Sequence, residues 1–131
     1  GASNIRLINR TYSKAEELAK SFGGTVTCIN WDDREEALPG ASLLVNTTNQ
    51  GMHGETALDL KLHKLPTTAL VFDAIYIPIE TPLLNQARLR GNPTVNGLGM
   101  LLHQARPAFH AWFGVMPDVT DKLFNEVMNT I

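Results

Sequence analysis

The stretch Asn9-Arg10-Thr11-Tyr12-Ser13-Lys14 gathers an amide, a guanidinium, hydroxyls and an ammonium directly after the β-prone run Ile5–Ile8. Parallel-sheet units that bind NAD usually end the corresponding strand with an acid, which takes the ribose hydroxyls. No acid stands here. The set suits a phosphate monoester on the ribose instead. Arg10 can pair with it bidentately, Lys14 adds charge, and Thr11 and Ser13 offer hydroxyl donors. The same guanidinium can stack on an adenine ring. A solvated strand end followed by a capped helix accounts for these residues equally well.

Three further segments carry polar groups at the ends of apolar runs. Asn46 to Gly54 is a polar loop whose glycines let backbone approach a ligand; an ordinary connection is the simpler reading. Asp73-Ala74-Ile75-Tyr76 offers the Tyr76 hydroxyl to a substrate, or anchors a loop by packing. Asn96-Gly97-Leu98-Gly99-Met100 has Gly-x-Gly ahead of a helix, but Leu102 stands where a dinucleotide fingerprint needs its third glycine. Gly97 and Gly99 are read instead as admitting a helix start close to a ligand, with Gln104 further along that helix presenting an amide to hydroxyls. The histidines at 53, 63, 103 and 110 form no short-spaced ligand set, so no metal is expected. Cys28 reads as a core thiol. There is no Gly-x-Ser-x-Gly elbow and no Walker loop.

The elements that position these loops alternate between strand and helix. Ile5–Ile8, Thr25–Ile29, Ser42–Val45, Ala69–Phe72 and the short Pro93–Val95 are apolar, mostly β-branched runs. Helical periods cover Ser13–Phe22, with Ser13 and Glu16 as a capping box, and Thr81–Arg90, with Thr81 as cap and Pro82 at the first helical position. Leu98–Trp112 contains Pro107, where a kink is expected. Asp118–Met128 takes Asp118 as its cap. Asp32–Leu38 is a short helical turn, and Leu58–Leu65 is irregular or weakly helical. This order predicts an α/β fold of three layers, Rossmann-like, with a mostly parallel sheet whose ligands bind at the carboxyl ends of the strands.

Composition sets the outer bounds. In 131 residues, 44% are hydrophobic, which is enough for a core. The formal net charge of −2 supplies no basic field for nucleic acid. No apolar run approaches the ~20 residues of a membrane span. A single cysteine forms no internal disulfide and suits a reducing, cytoplasmic setting.

Taken in order, the loops resemble the C-terminal half of the shikimate dehydrogenase family. Asn-Arg-Thr-x-Ser-Lys looks like that family's NADP-phosphate motif. Val45-Asn46-Thr47-Thr48 with Gly51-Met52, then Phe72-Asp73 through Tyr76 with Thr81-Pro82-Leu83-Leu84, are similar to its next two segments. Gly97-Leu98-Gly99-Met100-Leu101 with Gln104, and the tail Trp112-Phe113-Gly114 with Met116-Pro117-Asp118-Val119, match its late motifs. The resemblance implies a reversible reduction of 3-dehydroshikimate to shikimate with NADPH, on the route to chorismate and aromatic amino acids. It implies that Asn9, Arg10, Thr11, Ser13 and Lys14 hold the 2′-phosphate. Thr47, Ala74, Gly97 and Met100 would line the cofactor, and Tyr76 and Gln104 would reach the shikimate ring.

The match also has departures. Asn96 replaces the family's usual Asp before Gly-Leu-Gly. The family's substrate domain, with its catalytic Lys and Asp, has no counterpart here, nor does the first Rossmann strand with its glycine-rich loop. Residues 1–131 therefore read as a partial NADP-binding domain that carries no catalytic residue and is inactive by itself. A sheet without its first strand has unpaired edges, at roughly 1–3 kcal/mol for each buried unpaired backbone group. A homo-oligomer or strand-exchanged assembly is the expected remedy. Two alternatives remain: a quinate/shikimate dehydrogenase using NAD, and a non-catalytic nucleotide-binding module.

Overall fold

A computed structural model describes residues 1–130 of the chain. Its strands and helices follow the predicted alternation: β1 (Ile5–Ile8), α1 (Tyr12–Lys20), β2 (Val26–Ile29), β3 (Leu43–Asn46), β4 (Leu70–Asp73), α2 (Pro82–Leu89), β5 (Thr94–Val95), α3 (Leu98–Phe113) and α4 (Asp121–Met128). Short 3-10 segments occupy Gly23–Thr25 and Trp31–Ala37. Every ladder among the described residues is parallel, and the fold class is α/β with short parallel sheets. The strands form two sheets, β1-β2 and β3-β4-β5. The chain divides into two compact units, residues 1–41 with 60–66, and residues 42–59 with 67–130.

In the first unit, β1 and β2 run in register from Ile5 opposite Val26 to Ile8 opposite Ile29. Ala15 of α1 is buried, as are Ala37, Leu38, Leu60, Leu62 and Leu65. Burying each such leucine contributes about 1.5–3 kcal/mol. The Arg6 guanidinium donates to the Ala37 and Pro39 carbonyls, both at 2.6 Å, and so closes the end of the second 3-10 segment. Lys64 pairs with Glu36 on the surface.

The capping box expected at Ser13 and Glu16 does not form. Asn9 Oδ1 accepts the Thr11 N–H at 3.0 Å, and this turn starts the helix earlier. Thr11 takes the extended cap position without a side-chain bond, and the helix begins at Tyr12. The last helix, by contrast, starts later than expected. Its cap is Thr120, whose hydroxyl accepts the Leu123 N–H, while Asp118 lies outside the helix, 3.8 Å from Arg106.

In the second unit, Leu43 pairs with Leu70 and Asn46 with Asp73, and β5 adds on the far side of β4. Ala69, Val71, Leu83, Leu84, Ala87 and Leu98 make the core, and Ala69, Val71, Ala87 and Leu98 are wholly buried. Asn92 donates to the Ala69 carbonyl at 2.9 Å and fixes the start of β4. The helix predicted at Thr81-Pro82 forms as read: the Thr81 side chain accepts the Leu84 N–H, and Pro82 fills the first turn where no amide donor is needed. Helix α3 runs on through Pro107 and ends at Gly114, whose φ of 72° is left-handed.

Candidate functional site

The carboxyl ends of β3 and β4 build the site. Sequence reading placed Asn46 and Asp73 in loops; the structure makes each the last residue of its strand, and register partners. Both are buried, Asp73 fully. Asn46 Nδ2 donates to Asp73 Oδ1 at 3.0 Å and to the Gln50 carbonyl at 3.3 Å. Its Oδ1 accepts from the Thr48 amide and the Thr48 hydroxyl. Asp73 Oδ1 also accepts the Ile75 N–H at 3.2 Å, and Oδ2 accepts the Thr81 hydroxyl at 2.7 Å. Buried polar groups are costly unless hydrogen-bonded, and here the bonds run without interruption from Thr48 to Thr81.

Above this network lies a cavity of about 400 Å³ lined by Thr47, Thr48, Asn49, Met52, Ala74, Ile75, Tyr76 and Ile77. One wall is the segment after β3, the other the segment after β4. Two further features hold them together. The His53 N–H donates to the Ile77 carbonyl at 3.2 Å. Gly51, with a φ of 100°, lies against Thr81 and Pro82. Only glycine adopts that backbone readily. Thr47, Ala74 and Tyr76, each singled out from sequence, thus share one space. The Tyr76 side chain is half-buried, and its hydroxyl has no hydrogen-bond partner among the described residues.

Gly97 joins the start of α3 to the same wall. Its N–H donates to the Ile75 carbonyl at 2.9 Å. Met100, 41% exposed, and Gln104, one turn further along the exposed side of α3, are not among the cavity-lining residues. In the other unit, Arg10, Ser13 and Lys14 are exposed just beyond β1, and neither cation has an ion-pair or hydrogen-bond partner among the described residues. That donor set fits a phosphate monoester: two uncompensated cations, with nearby hydroxyls of Thr11 and Ser13. Asn9 shapes the turn through its bond to the Thr11 amide.

Sequence reading missed Asp73 and Thr81 as a pair, and Thr48, Asn49, Met52, Ile75 and Ile77 as lining. The available signal was an Asp ending an apolar run, followed at Thr81-Pro82 by a helix cap that needs a buried acceptor. Among the described residues there is no cluster of His, Cys, Asp or Glu able to hold a metal, and no helix is long and apolar enough to cross a membrane. Cys28 is partly buried within β2.

Residues 97–121 match the family model described as the shikimate 5′-dehydrogenase C-terminal domain. The chain is 54% identical over 123 residues to a shikimate dehydrogenase (NADP+) of Paramagnetospirillum magneticum, covering 94% of this chain and 45% of that protein. It therefore spans less than half the length of such relatives. Among solved structures, it is similar to quinate dehydrogenase from Corynebacterium glutamicum in complex with NAD, with a TM-score of 0.87 and 29% identity over 100% of this chain and 48% of that one. It is also similar to the shikimate 5-dehydrogenase of Thermus thermophilus in complex with NADP(H) and shikimate, with a TM-score of 0.77 and 30% identity over 97% and 46% of the two chains.

Proposed function

We propose that this chain, which belongs to the shikimate dehydrogenase family, supplies the NADP-binding part of a cytoplasmic enzyme that interconverts 3-dehydroshikimate and shikimate. The observation that carries the reading is the pair of unpartnered cations Arg10 and Lys14 beyond β1, where an NAD-binding unit places an acid. Both cations are exposed and neither is committed to a protein acid among the described residues, so both are available to a phosphate. NADPH supplies the hydride when bound. Arg10 and Lys14, with Asn9, Thr11 and Ser13, hold the 2′-phosphate. Thr47, Ala74, Gly97 and Met100 line the rest of the cofactor. Tyr76 and Gln104 hydrogen-bond the ring hydroxyls of the substrate and so orient the carbon that exchanges hydride. Proton transfer falls to residues outside this chain, so the 131 residues alone are expected to be inactive.

A second reading, quinate oxidation with NAD, draws on the likeness to the Corynebacterium glutamicum enzyme. Steady-state turnover of the full-length protein with each pair of shikimate or quinate and NADP or NAD separates the two. Preference for shikimate with NADP is expected. Failure to oxidise shikimate with NADP removes the first reading, and preference for NAD installs the second.

The sheets bear on assembly. Among the described residues β1 pairs only with β2, and β3 only with β4, so each keeps one unpaired edge. Such edges invite another strand. We take the isolated chain to self-associate, as a homo-oligomer or by strand exchange. Light scattering after size exclusion checks this: a stable monomer contradicts it.

A further inference from the structure

We propose that Asp73 is a positioning residue that fixes the separation of the two cavity walls. Its carboxylate is fully buried, yet it accepts from three separate places. Asn46 Nδ2 ties it to β3, and through the side-chain oxygen of Asn46 to both donors of Thr48 on the first wall. The Ile75 N–H ties it to the second wall at the point where the chain leaves β4. The Thr81 hydroxyl ties it to the cap of α2. Three anchors on one rigid, planar group leave the walls little freedom to separate.

A purely structural acid would be replaceable by any change that preserved stability. Here the anchors converge on the residues adjoining Thr47 and Tyr76, so the geometry of the space between them depends on this carboxylate. A misplacement of about 1 Å is enough to cost substantial catalytic efficiency. The inference rests on the reading that the cavity takes the shikimate ring and the adjoining part of the cofactor, but its first test does not.

The test uses the full-length protein with Asp73→Ala and Asp73→Asn. Asn keeps an oxygen for Asn46 and Ile75, and its amide can donate to a Thr81 hydroxyl turned to accept. Amide hydrogen exchange in Asp73→Ala should quicken about tenfold or more over residues 47–52 and 74–77 and stay unchanged at Val71 and Phe72 inside the sheet. Asp73→Asn should recover most of the protection. Unchanged exchange in the two segments, uniform acceleration of the sheet, or no recovery with Asn would each overturn the proposal. Where Asp73→Ala fails to fold, Thr81→Val removes one anchor alone. It should loosen 74–77 in the same direction, and no change there also overturns the proposal.

Steady-state kinetics give the second readout. In Asp73→Ala the KM for shikimate and the KM for NADP should each rise about tenfold, because Tyr76 meets the substrate while Thr47 and Ala74 meet the cofactor, and Asp73→Asn should restore most of both. A fall in kcat with both KM values unchanged would overturn the positioning role. A wild-type protein with no shikimate turnover would remove the proposed function instead, and hydrogen exchange would then decide the positioning claim by itself.

Discussion

Gly97 stands against Ala74 with no room for a side chain: a Cβ added there would lie 2.0 Å from the Ala74 carbonyl oxygen and 2.4 Å from its carbon. The contact is backbone on backbone, so no flexible side chain can yield. It presses the start of α3 onto the cavity wall and brings Gly97 and Ala74, both proposed above to line the cofactor, within touching distance. Gly97→Ala must push the helix and the loop apart. The expected loss is about 1–3 kcal/mol or more of stability, read as a lower urea midpoint, together with weaker NADP binding by the full-length protein. Unchanged stability would mean that the helix start can shift freely.

Arg10→Ala addresses the phosphate grip. A charge-assisted bidentate contact contributes about 1.5–3 kcal/mol, so affinity for NADP should fall about 10- to 150-fold by titration calorimetry of the full-length protein. Affinity for NAD should change less than about twofold. Because Arg10 has no protein partner among the described residues, the melting temperature should hold. Equal losses for both cofactors contradict the grip.

Tyr76→Phe removes a hydroxyl that bonds nothing among the described residues, on a side chain that lines the cavity. Stability should therefore be almost unaffected. One neutral hydrogen bond to substrate contributes about 0.5–1.5 kcal/mol, so the KM for shikimate should rise about 2- to 12-fold. An unchanged KM would move Tyr76 from substrate contact to loop packing.

Glu80 and Arg88 make a surface pair, Nε to Oε1 at 2.6 Å, beside the start of α2. The hydrogen bond from Arg88 holds the Glu80 carboxyl below its ordinary 4.5, although partial desolvation opposes this. A carboxyl whose folded value is depressed adds stability above its unfolded value and loses it as pH falls through the folded one. Glu80→Gln should thus lower the melting temperature slightly at pH 7 in low salt. The difference from wild type should close as pH drops below 4.5. A constant difference across that range would show that the pair contributes nothing through its charge.

Much of this protein is legible in its sequence. The alternation of β-branched runs with helical periods is local information, and so are Thr81-Pro82 as a helix start and the cations at 10 and 14; the elements appear within a few residues of where those patterns place them. The same local rules misplaced the caps of α1 and α4. Which residue takes the cap position depends on the turn before it, and in α1 the Asn9 side chain had already set that turn. Strand ends misled in a more instructive way. Asn46 and Asp73 look like loop residues because buried amides and carboxylates are rare, and only their pairing across the ladder makes burial tolerable. No spacing rule connects residues twenty-seven positions apart. Residue types therefore settled which chemistry the chain can offer. Tertiary packing decided which of those groups share a cavity, because hydrogen-bond partners and the steric limit at Gly97 exist only once distant segments meet.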